Sequence, residues 1–157
     1  MKKKTGTGTA GREEPLRVLF VCTGNAARSQ MAEGLTNHLG RGRVVADSAG
    51  TFPAGLVIGH AVAVMKEIGI DITSHYSKGL DEVAGPYAVV VTLCDSAVQE
   101  CPAPLVSGRH EHWSTYDPSF ADGGPDAVRE AFRQVRDRLK SQIADLVDRL
   151  LSEPAAE

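Results

Sequence analysis

The segment Tyr87-Ala88-Val89-Val90-Val91-Thr92-Leu93 is the most apolar in the chain, and it constrains the fold more than any other feature. A run of β-formers without polar alternation reads as a strand covered on both faces, since a strand with one wet face would alternate. Leu16-Arg17-Val18-Leu19-Phe20-Val21 is a second short, mostly apolar run of the same kind, and Arg43 to Ser48 a third, ahead of a loop from Ala49 to Gly55. A weaker strand lies around Arg109-His110-Glu111-His112-Trp113. The covering layers stand between the strands. Met31, Leu35 and Leu39 recur at helical spacing. Ala61, Val64, Met65 and Ile68 repeat at i, i+3, i+4 and i+7, with Gly69 to close the helix. Val128, Phe132, Val135, Leu139, Ile143, Leu146 and Leu150 form one stripe of a last helix, opened by Gly123-Gly124-Pro125. Residues 71–82 are polar and irregular, with a helical turn near Leu80. This β-α-β-α-β…β-α order predicts a single-domain α/β fold, a parallel sheet with helices on both faces. The 157 residues suffice to bury roughly two-thirds of the unfolded surface in one core.

In such a sheet ligands gather at the carboxyl ends of the strands, and the first strand runs directly into Cys22-Thr23-Gly24-Asn25-Ala26-Ala27-Arg28-Ser29. That loop bridges a strand end and a helix start, where free backbone N–H groups and the helix dipole favour a tetrahedral anion. Gly24, Ala26 and Ala27 let the backbone approach closely. Arg28 adds a planar fork of donors that a lysine would not reproduce. Cys22 lies in the same positive field, which favours the thiolate, the nucleophilic form of sulfur. By position, Cys94 at the end of the third strand and Asp117 after the fourth should join Cys22 at one edge.

The segment VCTGNAARSQMAEG closely resembles the active-site loop of the low-molecular-weight tyrosine phosphatase superfamily, in particular its thioredoxin-coupled arsenate reductases. The resemblance extends over about residues 16–147, including SAGTFPAG and VMKEIGIDI. It implies four strands in the order 2-1-3-4. It also implies that Thr23, Gly24, Asn25, Ala26, Ala27 and Ser29 bind the oxyanion, with Ser29 hydrogen-bonding the thiolate and Asn25 fixing the loop's backbone. Asp117-Pro118 matches the general-acid position, where a protonated carboxyl serves the leaving oxygen. There are departures. Tyr116 stands where many of these reductases have Asp. Lys78 follows Ser77 where some members place an Asp that helps hold a potassium ion. Asn25, Glu33 and Ser48 match the rest of that cation site, and a lysine ammonium is able to fill the role, which puts a potassium requirement in doubt.

Cys94 and Cys101, six residues apart in VVTLCDSAVQECP, read from spacing alone as either two small hydrophobes on a helical turn or reactive thiols. The resemblance implies a thiol relay. Cys22 attacks arsenate, Cys94 attacks Cys22 so that arsenite leaves, and Cys101 attacks Cys94, leaving a disulfide for an external thiol to reduce, thioredoxin or, as the alternative, glutaredoxin with a small thiol. If helical, residues 94–101 span roughly 10 Å, whereas a disulfide needs Cα atoms within about 7 Å, so the segment must partly unwind. The expected protein is thus a cytoplasmic arsenate reductase serving arsenic detoxification. The alternatives are a low-molecular-weight phosphatase acting on phosphate monoesters, which needs neither Cys94 nor Cys101, and a non-catalytic oxyanion sensor, which would tolerate Cys22→Ser.

Composition narrows the partners. A net charge of −3 with no basic stripe argues against nucleic acid. No run approaches the ~18 apolar residues of a membrane span. Three cysteines are too few for a disulfide scaffold and suit a reducing compartment with transient disulfides. The Cys94–Cys101 gap is not that of common zinc cysteine pairs, and His110 and His112 are read as turned to opposite faces of their strand, so no metal or cofactor is expected. Residues 1–14, basic and then Thr/Gly-rich without an apolar stretch, are expected to form a disordered tail rather than a signal peptide. The domain is expected over 15–152 with a C-terminal tail at 153–157, and the protein as a monomer.

Overall fold

The computed structural model describes residues 14–95 and 109–153. Both expected tails fall almost wholly outside these, as do Cys101 and all but the start of the 94–101 segment. The chain runs β1 (Leu16–Cys22), α1 (Arg28–Gly40), β2 (Val44–Gly50), α2 (Gly59–Lys66), β3 (Val89–Thr92), β4 (Arg109–His112) and α3 (Pro125–Ser152). The strands form one parallel sheet in the order β2-β1-β3-β4, as expected. Short 3-10 turns sit at Leu80–Glu82 and Pro118–Phe120.

The two central strands are apolar because each is hidden on both sides. Val18 to Val21 and Val89 to Val91 are fully buried. β3 is shorter than the apolar run that marks it. Tyr87 ahead of it is anchored instead through its hydroxyl, which donates to Asp47 Oδ2 (2.8 Å), and burial pushes that phenol well above its ordinary range. β4, by contrast, is an edge strand with Arg109, His110 and His112 exposed, which explains its weak signal. α2 ends at Lys66, not at Gly69. The next turn closes through Gly69 N–H to Lys66 O and Ile70 N–H to Met65 O (both 3.0 Å), with Gly69 at φ 81°, the left-handed conformation that glycine adopts freely.

α1, α2 and α3 pack on one another beside the sheet. Arg136 of α3 donates to Val64 O (2.8 Å) and to Glu67 (2.8 Å), and the rings of His60 and Phe132 lie 5.4 Å apart. The stripe expected on α3 is buried at Phe132, Val135, Leu139, Ile143, Leu146 and Leu150. No described helix is long and apolar enough to cross a membrane.

The register aligns the carboxyl ends of the strands. Cys22 pairs with Gly50, Val21 with Thr92, and Thr92 with His112. His110 and His112 do not part to opposite faces as expected: residues two apart on a strand share a face, and both rings reach Thr92 Oγ1, at 3.2 and 2.8 Å.

Candidate active site

The loop between β1 and α1 is held by its carbonyls. Cys22 O, Thr23 O, Gly24 O and Ala26 O accept from the N–H groups of Thr51, Phe52, Ala54 and Ile58 at 2.8–3.1 Å. Asn25 O accepts from Gln30 Nε2 (3.2 Å), and Ala27 O from Met31 N (2.9 Å). Six consecutive carbonyls are therefore drawn outward into the protein. In a trans peptide the N–H points opposite to the C=O, so the N–H groups of residues 23–28 turn to the concave side of the loop. A concavity lined by successive amides at a helix N-terminus is an anion site. Asn25 makes the turn at φ 51°, a left-handed conformation open to few residues besides glycine and asparagine. Gly50 lies against the loop's underside, where a side chain would collide with Thr23 O.

The functional groups converge on this concavity. Cys22 is buried, and its Sγ lies 2.9 Å from Ser29 Oγ. Arg28, at the start of α1, donates Nη1 to Thr115 O (3.0 Å) and places Nη2 3.5 Å from Asp117 Oδ2. Asp117 keeps that second oxygen for the site because its other one, Oδ1, accepts from the backbone and hydroxyl of Ser119 (3.0 and 2.7 Å) and caps the 3-10 turn. Its side chain is 26% exposed, so the carboxyl reaches solvent. Cys94, a buried thiol, has Sγ 3.0 Å from Thr23 Oγ1, the residue next to Cys22. The cysteines, arginine and aspartate assigned to one edge thus meet there, apart from Cys101, which lies outside the described residues.

Behind the loop sits a polar cluster that fixes the side-chain directions. Asn25 Oδ1 accepts from Lys78 N (2.9 Å) and Gln30 Nε2 (2.8 Å), so its amide nitrogen faces the other way and donates to Ser29 Oγ (2.7 Å) and Ser48 Oγ (3.0 Å). Since Ser29 accepts there, its own proton is available to Cys22. Gln30, His75, Ser77 and Thr115 belong to the site although motif reading passed over them. Gln30 Nε2 also donates to Tyr76 O (2.9 Å), Ser77 Oγ donates to Gly24 O (3.0 Å), and His75 Nδ1 lies 2.9 Å from Gln30 Oε1. Burial pushes His75 below the usual imidazole range, against the pull of Glu33. Among the described residues no group of three or more His, Cys, Asp or Glu side chains could hold a metal ion.

A strand-loop-helix unit carrying a buried thiol, outward-pinned carbonyls and an arginine fork, in an α/β fold, has the geometry to hold an oxyanion against a thiol. The model of the low molecular weight phosphotyrosine protein phosphatase family matches residues 17–155, and the chain belongs to that family. It is 38% identical over 131 residues to an arsenate reductase of Halalkalibacterium halodurans, covering 80% of this chain and 91% of the relative. It is 36% identical to an arsenate reductase of Bacillus subtilis, covering 83% and 94%. Among solved structures, an arsenate reductase in the phosphate binding state superposes with a TM-score of 0.72 at 35% identity, over 85% of this chain and 98% of that one. The YwlE arginine phosphatase, solved as a mutant with a phosphorylated active site serine, superposes with a TM-score of 0.73 at 26% identity, over 88% and 97%.

Proposed function

We propose that this protein reduces arsenate to arsenite through a relay of Cys22, Cys94 and Cys101 that thioredoxin recharges in a reducing cytoplasm. The observation that carries the reading is the second buried thiol at the loop: Cys94 Sγ lies 3.0 Å from Thr23 Oγ1. Phosphoester hydrolysis needs no such thiol. Relatives named arsenate reductase support the same choice.

Arsenate enters the amide-lined concavity with Arg28 bridging two of its oxygens. The Cys22 thiolate, receiving the Ser29 hydroxyl proton as a hydrogen bond, attacks arsenic. Asp117 gives its proton to the departing oxygen, which leaves as water. The Cys94 thiolate then attacks Cys22 Sγ. The S–As bond breaks with its electron pair going to arsenic, As(V) becomes As(III), and arsenite leaves after taking up protons. The Cys22–Cys94 disulfide is next attacked by the Cys101 thiolate, which frees Cys22 and leaves Cys94–Cys101. Two electrons from reduced thioredoxin open that bond by thiol–disulfide exchange. In sum, arsenate and two thiols become arsenite, one disulfide and water.

Phosphatase activity is the second reading, favoured by Arg28 and Asp117 at one thiol, which suffice for hydrolysis of a phosphoenzyme. NADPH oxidation with thioredoxin, thioredoxin reductase and arsenate separates the two. Turnover that requires arsenate and vanishes in Cys94→Ser and Cys101→Ser supports the relay. No turnover, with p-nitrophenyl phosphate hydrolysed equally by all three proteins, makes this a phosphatase. A Cys22→Ser protein that still carries out the full biological role would instead point to a sensor.

A further inference from the structure

The side chain of Lys78 is 10% exposed, and its Nζ stands 3.5 Å from Glu33 Oε1 and 5.0 Å from the centre of the Tyr76 ring. An ammonium so deeply placed requires a compensating charge, and Glu33 supplies it. The same carboxylate oxygen accepts the Ser48 hydroxyl at 2.6 Å. An ionised carboxylate can only accept, so the Ser48 proton points to Glu33 and its oxygen lone pairs face the other way. They receive Asn25 Nδ2, which also donates to Ser29 Oγ, and Ser29 is left to donate to Cys22. The carboxylate fixes the direction of the Ser48 proton, and the Asn25 amide, turned by Lys78 N–H and Gln30, fixes that of Ser29, so the two ends of the series agree. The backbone of Lys78 clamps the same asparagine through N–H to Asn25 Oδ1 and holds Gly50 N–H through its carbonyl (2.8 Å).

We propose that Lys78 is the resident cation of the active-site loop, a positioning residue that holds Glu33 in place as the acceptor for Ser48 and so supports the Ser48–Asn25–Ser29 series that ends on Cys22. A potassium ion does not fit beside it. The ammonium already lies against Glu33, and a second cation at that carboxylate would face its repulsion with no second carboxylate in contact with Glu33 or Lys78 among the described residues to offset it. The charged or titratable groups here, among the described residues, are Lys78, Glu33, His75 and Tyr76, with Asp71 acting on His75 from further off. His75 stands with Nε2 3.9 Å from Glu33 Oε2 and is turned by its Nδ1–H donation to Gln30 Oε1. This proposal does not depend on which oxyanion the site turns over.

The test is the rate of iodoacetamide alkylation of Cys22 at one fixed pH, followed by peptide mass spectrometry, alongside thermal melting. In the wild type both should be the same in potassium, sodium or tetramethylammonium chloride at equal ionic strength. Lys78→Met and Glu33→Gln should each slow alkylation by about tenfold or more, the size of one lost charge-assisted hydrogen bond, while Lys78→Arg should keep most of the rate. Lys78→Asp, which sets two carboxylates together, should acquire a potassium-dependent rise in melting temperature. A wild-type rate that changes more than about twofold on removal of potassium, beyond what screening of buried groups allows, overturns the proposal. So does a folded Lys78→Met protein alkylated at the wild-type rate. If Lys78→Met does not fold, the wild-type salt comparison and Lys78→Arg decide.

Discussion

Gly50→Ala probes how tightly the loop is supported from below. A Cβ at this position would stand 2.5 Å from Thr23 O, 3.0 Å from Asn25 Cβ and 3.1 Å from Asn25 N. Real Cβ contacts essentially never fall under 3.0 Å, so the difference between 3.0 and 2.5 Å, about 0.5 Å, has to come from movement of backbone. Neither side yields easily, since Gly50 N–H is bound to Lys78 O while Thr51 and Phe52 N–H hold Cys22 O and Thr23 O. Overpacking of this kind costs about 1–3 kcal/mol, or a fall in Tm of about 2–12 °C for a chain of this size. A 1 Å misplacement of catalytic groups costs about a hundredfold in rate, so half that displacement should lower kcat/KM by about tenfold and weaken phosphate binding in proportion. Melting curves, steady-state kinetics and calorimetric phosphate titration read the three effects. Gly59→Ala is the control. Nothing lies within 4 Å of its added Cβ, it begins α2, and it should gain up to about 0.5–1 kcal/mol from helix propensity. If Gly50→Ala melts, binds phosphate and turns over like the wild type, the loop is not seated on Gly50 as described.

Arg28→Lys keeps the charge but loses the fork and the bond to Thr115 O; turnover should fall about a hundredfold or more with little change in Tm, as steady-state kinetics and melting will show. Asn25→Ala puts a side chain of poor left-handed tolerance at φ 51° and strips partners from Lys78 N–H, Gln30 and Ser48. A loss of about 2–4 kcal/mol is expected in urea denaturation. Glu67, hydrogen-bonded by Arg133 and then Arg136, has its pKa held down to about 2 from 4.5. A depressed carboxyl stabilises the fold above its unfolded value and loses that contribution as pH falls toward its folded one. The Tm advantage of wild type over Glu67→Gln should therefore be full near neutrality and shrink as pH drops from about 4.5 toward 2, measured by melting across that range.

The sheet, its order and the anion loop were legible because local signals agree with the whole: a doubly buried strand is apolar throughout, and the loop's residues adjoin one another in sequence. Arg28 and Asp117 are 89 residues apart, yet the strand-end rule and the resemblance placed both at one edge. The network behind the loop was only partly readable. Ser48, Glu33 and Lys78 stood out by family likeness, but Gln30, His75 and Ser77 are ordinary polar residues whose meaning comes from partners up to 53 positions away. Gly50 carries no positive φ, and its role lies in what packs against it. The two histidines of β4 share a face because the side-chain period of a strand is two, and both reach Thr92.

The outward pinning of six carbonyls means that the receptor for the anion is complete before the anion comes. The orientational entropy of its dipoles has been surrendered during folding, and an incoming oxyanion has only to exchange its water for amides already aimed at it. Such a mould answers to tetrahedral shape and negative charge, which phosphate and arsenate share, so choice between them cannot be made at the threshold. In the relay proposed above it falls to the later chemistry: arsenic can leave a sulfur carrying two more electrons, and phosphorus cannot under the same conditions. Under the proposed relay, phosphate is then a natural competitor for the loop, and discrimination is a matter of which guest the second thiol can discharge.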